Sequence, residues 1–236
     1  MKNRKPFRFK QFEIFQDNTA MKVGTDGVLL GAWSTLYNGN RILDIGTGTG
    51  LISLMLAQRF SSAEIDAIEL DKDAFDQATE NFLNSKFSDR INVYHTALQD
   101  FDDQVKYDLI VSNPPFFIVN DRVDMDARKQ ARQQETLTFE DLLLKTSELL
   151  KQEGKAVFII PFDLENHFIT IAKNEKLFPT KILNIKGNDS ASFKRSIIEL
   201  SFDEIEIIKS ELIIEIDRHQ YTEDYINLTK EFYLKM

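Results

Sequence analysis

From about residue 40 onward, short β-branched apolar runs alternate with longer amphipathic segments, and few folds accommodate that rhythm. Residues 41–45, 64–69, 91–95, 108–112 and 156–160 read as strands, their near-continuous apolar character being that of strands buried on both faces. Between them, residues 50–60 carry Leu51, Leu54, Met55 and Ala57 at helical spacing. Residues 73–84 place Ala74, Ala78 and Phe82 on one face, and residues 139–150 repeat Leu142, Leu143, Leu149 and Leu150. Parallel strands need a crossover between them, and a helix supplies it. The alternation therefore predicts an α/β fold: a doubly wound, mainly parallel sheet with helices on both sides.

Beyond Pro161 the rhythm changes. Residues 163–176 predict a helix, and residues 181–186 and 196–202 read as strands joined by Gly187-Asn188-Asp189-Ser190. Two strands without an intervening helix predict an antiparallel hairpin closing the edge of the sheet. Residues 211–217 offer one more strand. In the tail, Tyr221, Tyr225, Leu228 and Phe232 fall at helical intervals, and Thr222 followed by Glu223 and Asp224 makes a helix start. Residues 117–137 are polar and aperiodic, which predicts a binding loop or lid, or a short helix through 126–134.

The 236 residues, 42% of them hydrophobic, suffice for one large packed domain and are short for two. We expect a single domain over 1–236, with 1–40 as a basic arm and cap and 41–236 as the core ending in a C-terminal helix. No cysteine occurs, which removes disulfides, thiolate metal sites and a thiol nucleophile, and fits a cytoplasmic location. The N-terminus shows no signal-like apolar run, and no stretch is long enough to span a bilayer. His95, His167 and His219 do not fall at metal-ligand spacing, so no metal is expected.

The net charge of -9 argues against a surface that attracts nucleic acid everywhere, but the charge is uneven. Lys2, Arg4, Lys5, Arg8 and Lys10 form a basic arm, and Arg122, Arg128, Lys129 and Arg132 form a second basic cluster. Acids gather late, around Asp203, Glu204, Glu206, Glu211 and Glu215.

Asp44-Ile45-Gly46-Thr47-Gly48-Thr49-Gly50 follows a strand and opens a helix. Glycines there allow a tight turn and the close approach of backbone N–H groups to a ligand, and the helix N-terminus favours a negative group. Taken alone, such a turn serves a dinucleotide, another ligand or tight packing equally well. Glu69, at the end of the next strand, is placed to accept both hydroxyls of a ribose. Asp71 falls at a helix start instead.

The run Asn113-Pro114-Pro115-Phe116 leaves the fourth strand at the end where open α/β sheets bind ligands. The Asn113 side-chain oxygen and the Pro114 carbonyl can both accept hydrogen bonds from an exocyclic –NH₂ group. They would support positive charge developing on that nitrogen as it attacks an electrophile. The prolines aim the carbonyl, and Phe116 offers a face on which a base can stack.

The G-x-G-x-G turn after Asp44 resembles the cofactor signature of class I S-adenosylmethionine-dependent methyltransferases more than the G-x-G-x-x-G of nicotinamide enzymes. That resemblance implies a seven-stranded Rossmann-like sheet. It also implies that Asp44 with the backbone of Gly46, Gly48 and Gly50 holds the methionine moiety, Glu69 the ribose, and Ala97-Leu98 the adenine ring, with Asn113 at the reacting end. Many members carry an acid at the position of Ala97, and its absence leaves adenine recognition to backbone groups, Gln99 or Asp100.

Two flanks narrow the resemblance: residues 16–33, with Met21-Lys22-Val23-Gly24-Thr25-Asp26-Gly27 inside them, and the tail from His219-Gln220-Tyr221-Thr222 to Met236. With Asn113-Pro114-Pro115-Phe116-Phe117 they resemble the bacterial tRNA(Val) adenine-N6 methyltransferases from about residue 7 to the C-terminus. Met21, Val28, Leu29, Leu30 and Trp33 also read as a helix packed over the sheet. The resemblance places Thr25 over the cofactor and implies methyl transfer to N6 of the adenine 3′ of the anticodon. A base there lies in a single-stranded loop and can be splayed out and stacked on Phe116 or Phe117. Arg128, Lys129 and Arg132 would grip tRNA phosphates. No membrane partner is expected, and a monomer is favoured. The alternatives are a protein glutamine-N5 methyltransferase, which would need a larger N-terminal module, and an rRNA guanine-N2 methyltransferase, which shares the Asn-Pro-Pro run.

Overall fold

The computed structural model describes residues 5–17, 22–101, 104–114 and 137–235. The chain opens with a small antiparallel hairpin, β1 (Phe7–Arg8) and β2 (Glu13–Ile14), before helix α1 (Thr25–Trp33). Strand β3 (Arg41–Ile45) follows, and its side chains alternate: Ile42 belongs to one buried cluster, Leu43 and Ile45 to another. A strand buried on both faces must be covered by helices on both, and the remaining order supplies them.

Helix α2 (Leu51–Arg59), β4 (Glu64–Glu69), α3 (Lys72–Leu83), β5 (Ile91–His95) and β6 (Tyr107–Ser112) come next. They are followed by α4 (Phe139–Leu149), β7 (Leu150–Pro161), α5 (Glu165–Asn174), β8 (Phe178–Lys186) and β9 (Arg195–Ser201). The chain ends with β10 (Ile208–Ile213), the short pair β11 (Glu215–Asp217) and β12 (Gln220–Tyr221), and α6 (Glu223–Thr229). Among the described residues three helix starts carry side-chain caps, two of them at the expected Asp71 and Thr222. Asp71 accepts from the Ala74 N–H at 2.8 Å, Thr138 from Asp141 at 3.1 Å and Thr222 from Tyr225 at 3.2 Å.

The main sheet runs β10-β8-β9-β7-β6-β3-β4-β5, with β9 antiparallel to both its neighbours and every other pairing parallel. It has eight strands rather than the seven expected. The eighth is β10, which pairs with β8 outside the hairpin. Its first four residues are exposed, so it lacks the continuous apolar run that marks the central strands. One face of the sheet is covered by α1, α2, α3 and α6, and the other by α4 and α5.

The region expected to be a basic arm is, over residues 7–14, a docked element. Phe9, Phe12 and Ile14 are buried, Phe9 bridges to Tyr233, and the Lys10 N–H donates to the Phe232 carbonyl at 2.8 Å. The charges are spent locally: Arg8 pairs with Glu13 at 2.9 Å, and the Lys10 ammonium donates to the Lys230 carbonyl at 2.6 Å. The tail helix correspondingly stops at Thr229, short of Phe232, because the chain must turn to meet β1. The expected lid or helix within 117–137 lies outside the described residues, save Leu137.

At the end of the sheet remote from the ligand-binding edge, Asp108 ties the α1–β3 loop to β7. Burial alone would raise its carboxyl. The Lys151 ammonium at 2.9 Å and the Arg41 and Asn40 amides overcome this and hold it below its ordinary value. Gly39 lies against it with φ of +79°, and a Cβ there would stand 2.1 Å from the Asp108 carboxyl carbon. Gly39→Ala should therefore cost roughly 2–5 kcal/mol from left-handed strain plus overpacking. Urea denaturation checks this, and a loss below about 1 kcal/mol would contradict the packing described.

Candidate functional site at the carboxyl ends of the central strands

The parallel register brings four strand ends level. Ile45 of β3 is paired with Ile68 of β4 on one side and Ser112 of β6 on the other, and Ile68 with Tyr94 of β5. The chain winds outward through β3, β4 and β5 and then returns to β6 on the opposite side of β3. The loops leaving β3 and β6 therefore diverge, and open sheets bind ligands in the crevice formed there. Gly46 and Asn113 are the first residues beyond that boundary, one on each side.

The glycine turn folds over β4. The Gly46 and Thr47 N–H groups both donate to the Ile68 carbonyl, at 2.9 and 3.0 Å. Gly46, Gly48 and Gly50 have φ of +69°, +59° and +82°. Only the last is closed in: a Cβ on Gly50 would come within 2.4 Å of the Phe82 ring, whereas nothing lies within 4 Å of a Cβ on Gly46 or Gly48. The outer part of the turn thus leaves open space beside exposed main chain, as a ligand cradle requires.

Asp44, fully buried, stands beneath this turn. The Thr47 and Ser53 hydroxyls each donate to its Oδ2 at 2.7 Å, while Oδ1 has no hydrogen-bond partner. Burial pushes its carboxyl up to about 6, against the pull of the two hydroxyls, and nearby Glu69 adds to the rise. A buried carboxylate oxygen with no partner is costly in a folded protein and suits a cationic group entering from outside.

Glu69 is half-buried at the end of β4 and braces the turn: Oε2 accepts from the Gly48 N–H at 2.8 Å and Oε1 from the Asp71 N–H at 2.9 Å. Each oxygen keeps a lone pair for a further donor. The Thr96 N–H donates to the Glu69 carbonyl at 3.0 Å, which sets Ala97 and the buried Leu98 beside it, while Gln99 and Asp100 are exposed. Asp71 caps α3, as its position predicts.

On the β6 side Ser112 is fully buried, and its hydroxyl donates to the Ile45 carbonyl at 2.8 Å. Asn113 is half-buried and Pro114 buried. Pro115, Phe116, Phe117, Arg128, Lys129 and Arg132 lie outside the described residues. Thr25 is exposed at the start of α1, and a Cβ on Gly27 would come within 3.1 Å of Leu51, so this segment lies against the start of α2 beside the glycine turn. Asp26 is held by Arg195 of β9 at 2.7 Å. Among the described residues no group of three or more His, Asp or Glu is placed to hold a metal ion.

Sequence reasoning missed Thr47, Ser53 and Arg195. Ser53 had a signal, a lone hydroxyl inside the apolar run Leu51-Ile52-Ser53-Leu54-Met55. Arg195 had none, because its partner Asp26 lies far away in the chain.

The strained carboxylate has a measurable consequence. Because its folded value lies above the ordinary 3.8, the stability linked to its proton is present below pH 3.8 and is lost as pH rises through about 6. At pH 7.5 the ionised group costs on the order of 3 kcal/mol. Asp44→Asn should therefore stabilise the unliganded protein at pH 7.5, by a margin that shrinks toward pH 4. Chemical denaturation at both pH values checks this, and a destabilised variant at pH 7.5 would refute it.

The chain matches the methyltransferase small domain family over residues 21–174. It is 50% identical over 234 residues to the tRNA1(Val) (adenine(37)-N6)-methyltransferase of Flavobacterium johnsoniae, covering 98% of this chain and 100% of that one. It is 45% identical over 231 residues to the protein of the same name from Bacteroides thetaiotaomicron, covering 98% of each. In fold it is similar to a predicted O-methyltransferase from Agrobacterium tumefaciens, with a TM-score of 0.69 at 17% identity over 88% of this chain and 96% of that one. With the glycine turn and Asn113 on either side of the crevice and near-complete coverage at this identity, the chain belongs to the bacterial tRNA1(Val) (adenine(37)-N6)-methyltransferase family.

Proposed function

We propose that this protein transfers a methyl group from S-adenosylmethionine to N6 of adenine 37 of tRNA1(Val), as the names of its relatives describe for them. The observation that carries the reading is the Ile45–Ser112 register, which sets Asn113 across the crevice from the glycine turn.

The residues present fit the cofactor. The unpartnered Asp44 Oδ1 suits an ammonium group, the open space beside Gly46 and Gly48 suits the amino-acid moiety, and the free lone pairs of Glu69 suit ribose hydroxyls. Ala97 and Leu98 border the place left for an adenine ring, and Thr25 lies beside the turn. When bound, S-adenosylmethionine supplies an electrophilic methyl group on a sulfonium centre.

The protein's own part is to make an amine nucleophilic. The lone pair of an adenine N6 is delocalised into the ring. Asn113 Oδ1 and the Pro114 carbonyl accept its two N–H bonds, favour the geometry in which the lone pair is free, and support the charge that develops on nitrogen. Pro114 and Pro115 restrict the backbone so that these acceptors are aimed before substrate arrives. Phe116 and Phe117 provide faces on which a splayed-out base stacks. Arg128, Lys129 and Arg132 hold phosphates, a confined patch on a chain whose net charge is -9. The protein acts as a monomer in the cytoplasm. No helix among the described residues is long and apolar enough to cross a membrane.

Asn113→Ala should lower turnover roughly 10²–10³-fold, the scale of losing one polar group aimed at developing charge, with little change in cofactor affinity. Undiminished methyl transfer would sink the assignment. Radiolabelled S-adenosylmethionine supplied with separate tRNA, rRNA and protein pools should label tRNA, at adenine 37 of tRNA1(Val). Label confined to rRNA or protein would overturn the substrate. Cofactor affinity should also fall as pH drops through about 6, where Asp44 takes up its proton.

A further inference from the structure

Two amide side chains, Gln77 and Asn81, lie one helical turn apart on the face of α3 that otherwise carries Ala74, Ala78 and Phe82. Both are 1% exposed. Buried amides destabilise a fold unless their donors and acceptors are met. Gln77 Nε2 donates to Glu80 Oε2 at 2.9 Å, and the remaining partners of the two amides are main chain. Asn81 Nδ2 donates to the Phe15 carbonyl at 2.9 Å and to the Thr49 carbonyl at 2.8 Å, and Oδ1 accepts from the Phe15 N–H at 2.9 Å. One side chain thus pairs with both main-chain groups of Phe15 and grips the glycine turn with its remaining proton. Gln77 Oε1 accepts from the Asp17 N–H at 3.2 Å.

The glycine turn is otherwise thinly supported. Among the described residues nothing packs where Gly46 or Gly48 would carry a Cβ, and side chains bond the main chain of residues 46–50 at two points, the Gly48 N–H donating to Glu69 and Asn81 donating to the Thr49 carbonyl. The segment held by Asn81 leads toward the other wall of the site. Gln16 Oε1 accepts from the Val23 N–H at 2.7 Å, Gly27 lies against Leu51, and Asp26 meets Arg195.

We propose that Asn81 is a positioning residue for cofactor binding, its buried amide locking the glycine turn and the chain that leads into α1 to one point on α3. It acts through Thr49 and Phe15, without touching the ligand. Losing its donors orphans a buried carbonyl on the turn and removes the bond to the Phe15 carbonyl. The inference rests on reading the turn as the S-adenosylmethionine site.

Calorimetry with S-adenosylhomocysteine on the full chain tests it. Asn81→Asp keeps the shape and the acceptor but removes both donors, and should weaken binding at least tenfold while turnover at saturating S-adenosylmethionine stays within about threefold. Gln77→Leu removes the bond to the Asp17 N–H but leaves Thr49 held, and should change affinity less than threefold. Should Asn81→Asp fail to fold, hydrogen exchange on the unaltered protein decides: S-adenosylhomocysteine should slow exchange of the Phe15 amide about tenfold. Affinity kept by a folded Asn81→Asp protein with only a lower melting temperature, or Phe15 exchange unchanged by ligand, overturns the proposal. An unaltered protein that binds no S-adenosylhomocysteine overturns the cofactor reading, and the inference with it.

Discussion

Ile45 and Ser112 lie side by side on β3 and β6, with the Ser112 hydroxyl bonded to the Ile45 carbonyl at 2.8 Å. That register decides where everything else at this end of the sheet stands. To its one side the chain turns over Ile68 and leaves glycine main chain facing open space; to the other, Asn113 and Pro114 leave the sheet. A slip along either strand would carry Asn113 away from the turn and reverse the faces of Ile110 and Val111, which belong to opposite cores. Burial of both faces thus enforces the alignment of the two halves of the site.

The electrostatics of the site run against stability. Asp44 is buried with one oxygen unpaired, and its carboxyl is pushed up to about 6. Asp66, by contrast, is also buried but fully met, by Arg41 at 2.6 Å, Tyr107 at 3.0 Å and Asn92 at 3.0 Å. Two buried acids on neighbouring strands therefore serve different ends. Asp66 joins strands within the fold, whereas Asp44 is left incomplete where a ligand can complete it. Groups perturbed by burial and lacking a partner concentrate at functional sites for this reason.

Much of the central sheet was legible because its residues carry local patterns. The strands from 41 to 112 and the helices between them follow from runs and spacings that hardly depend on what packs against them. The caps at Asp71 and Thr222 follow from residue chemistry within three positions. Elements at the periphery were less legible. Residues 2–10 read as a basic arm because their charges are evident in sequence, while the Glu13 carboxylate and the Lys230 carbonyl that meet Arg8 and Lys10 are not adjacent to them in any pattern. The extra strand read over residues 211–217 lies instead at Ile208–Ile213, because the first four residues of β10 are exposed and its apolar run, Leu212-Ile213-Ile214, falls at its end.

By itself the sequence determined the strand–helix order, the glycine turn after Asp44, the acid at Glu69 and the Asn113-Pro114 exit, since each is a property of residues close together in the chain. The tertiary structure decided which of those lie side by side. Only folding places Ser53 and Thr47 on one oxygen of Asp44, Arg195 on Asp26, and Asn81 between Phe15 and Thr49. These are contacts between chain segments, most of them far apart, and their energies come from burial that no single segment can provide. The glycine turn that follows Asp44 was visible at once; that its carboxylate would be buried, half-satisfied and held from behind by α2 was not.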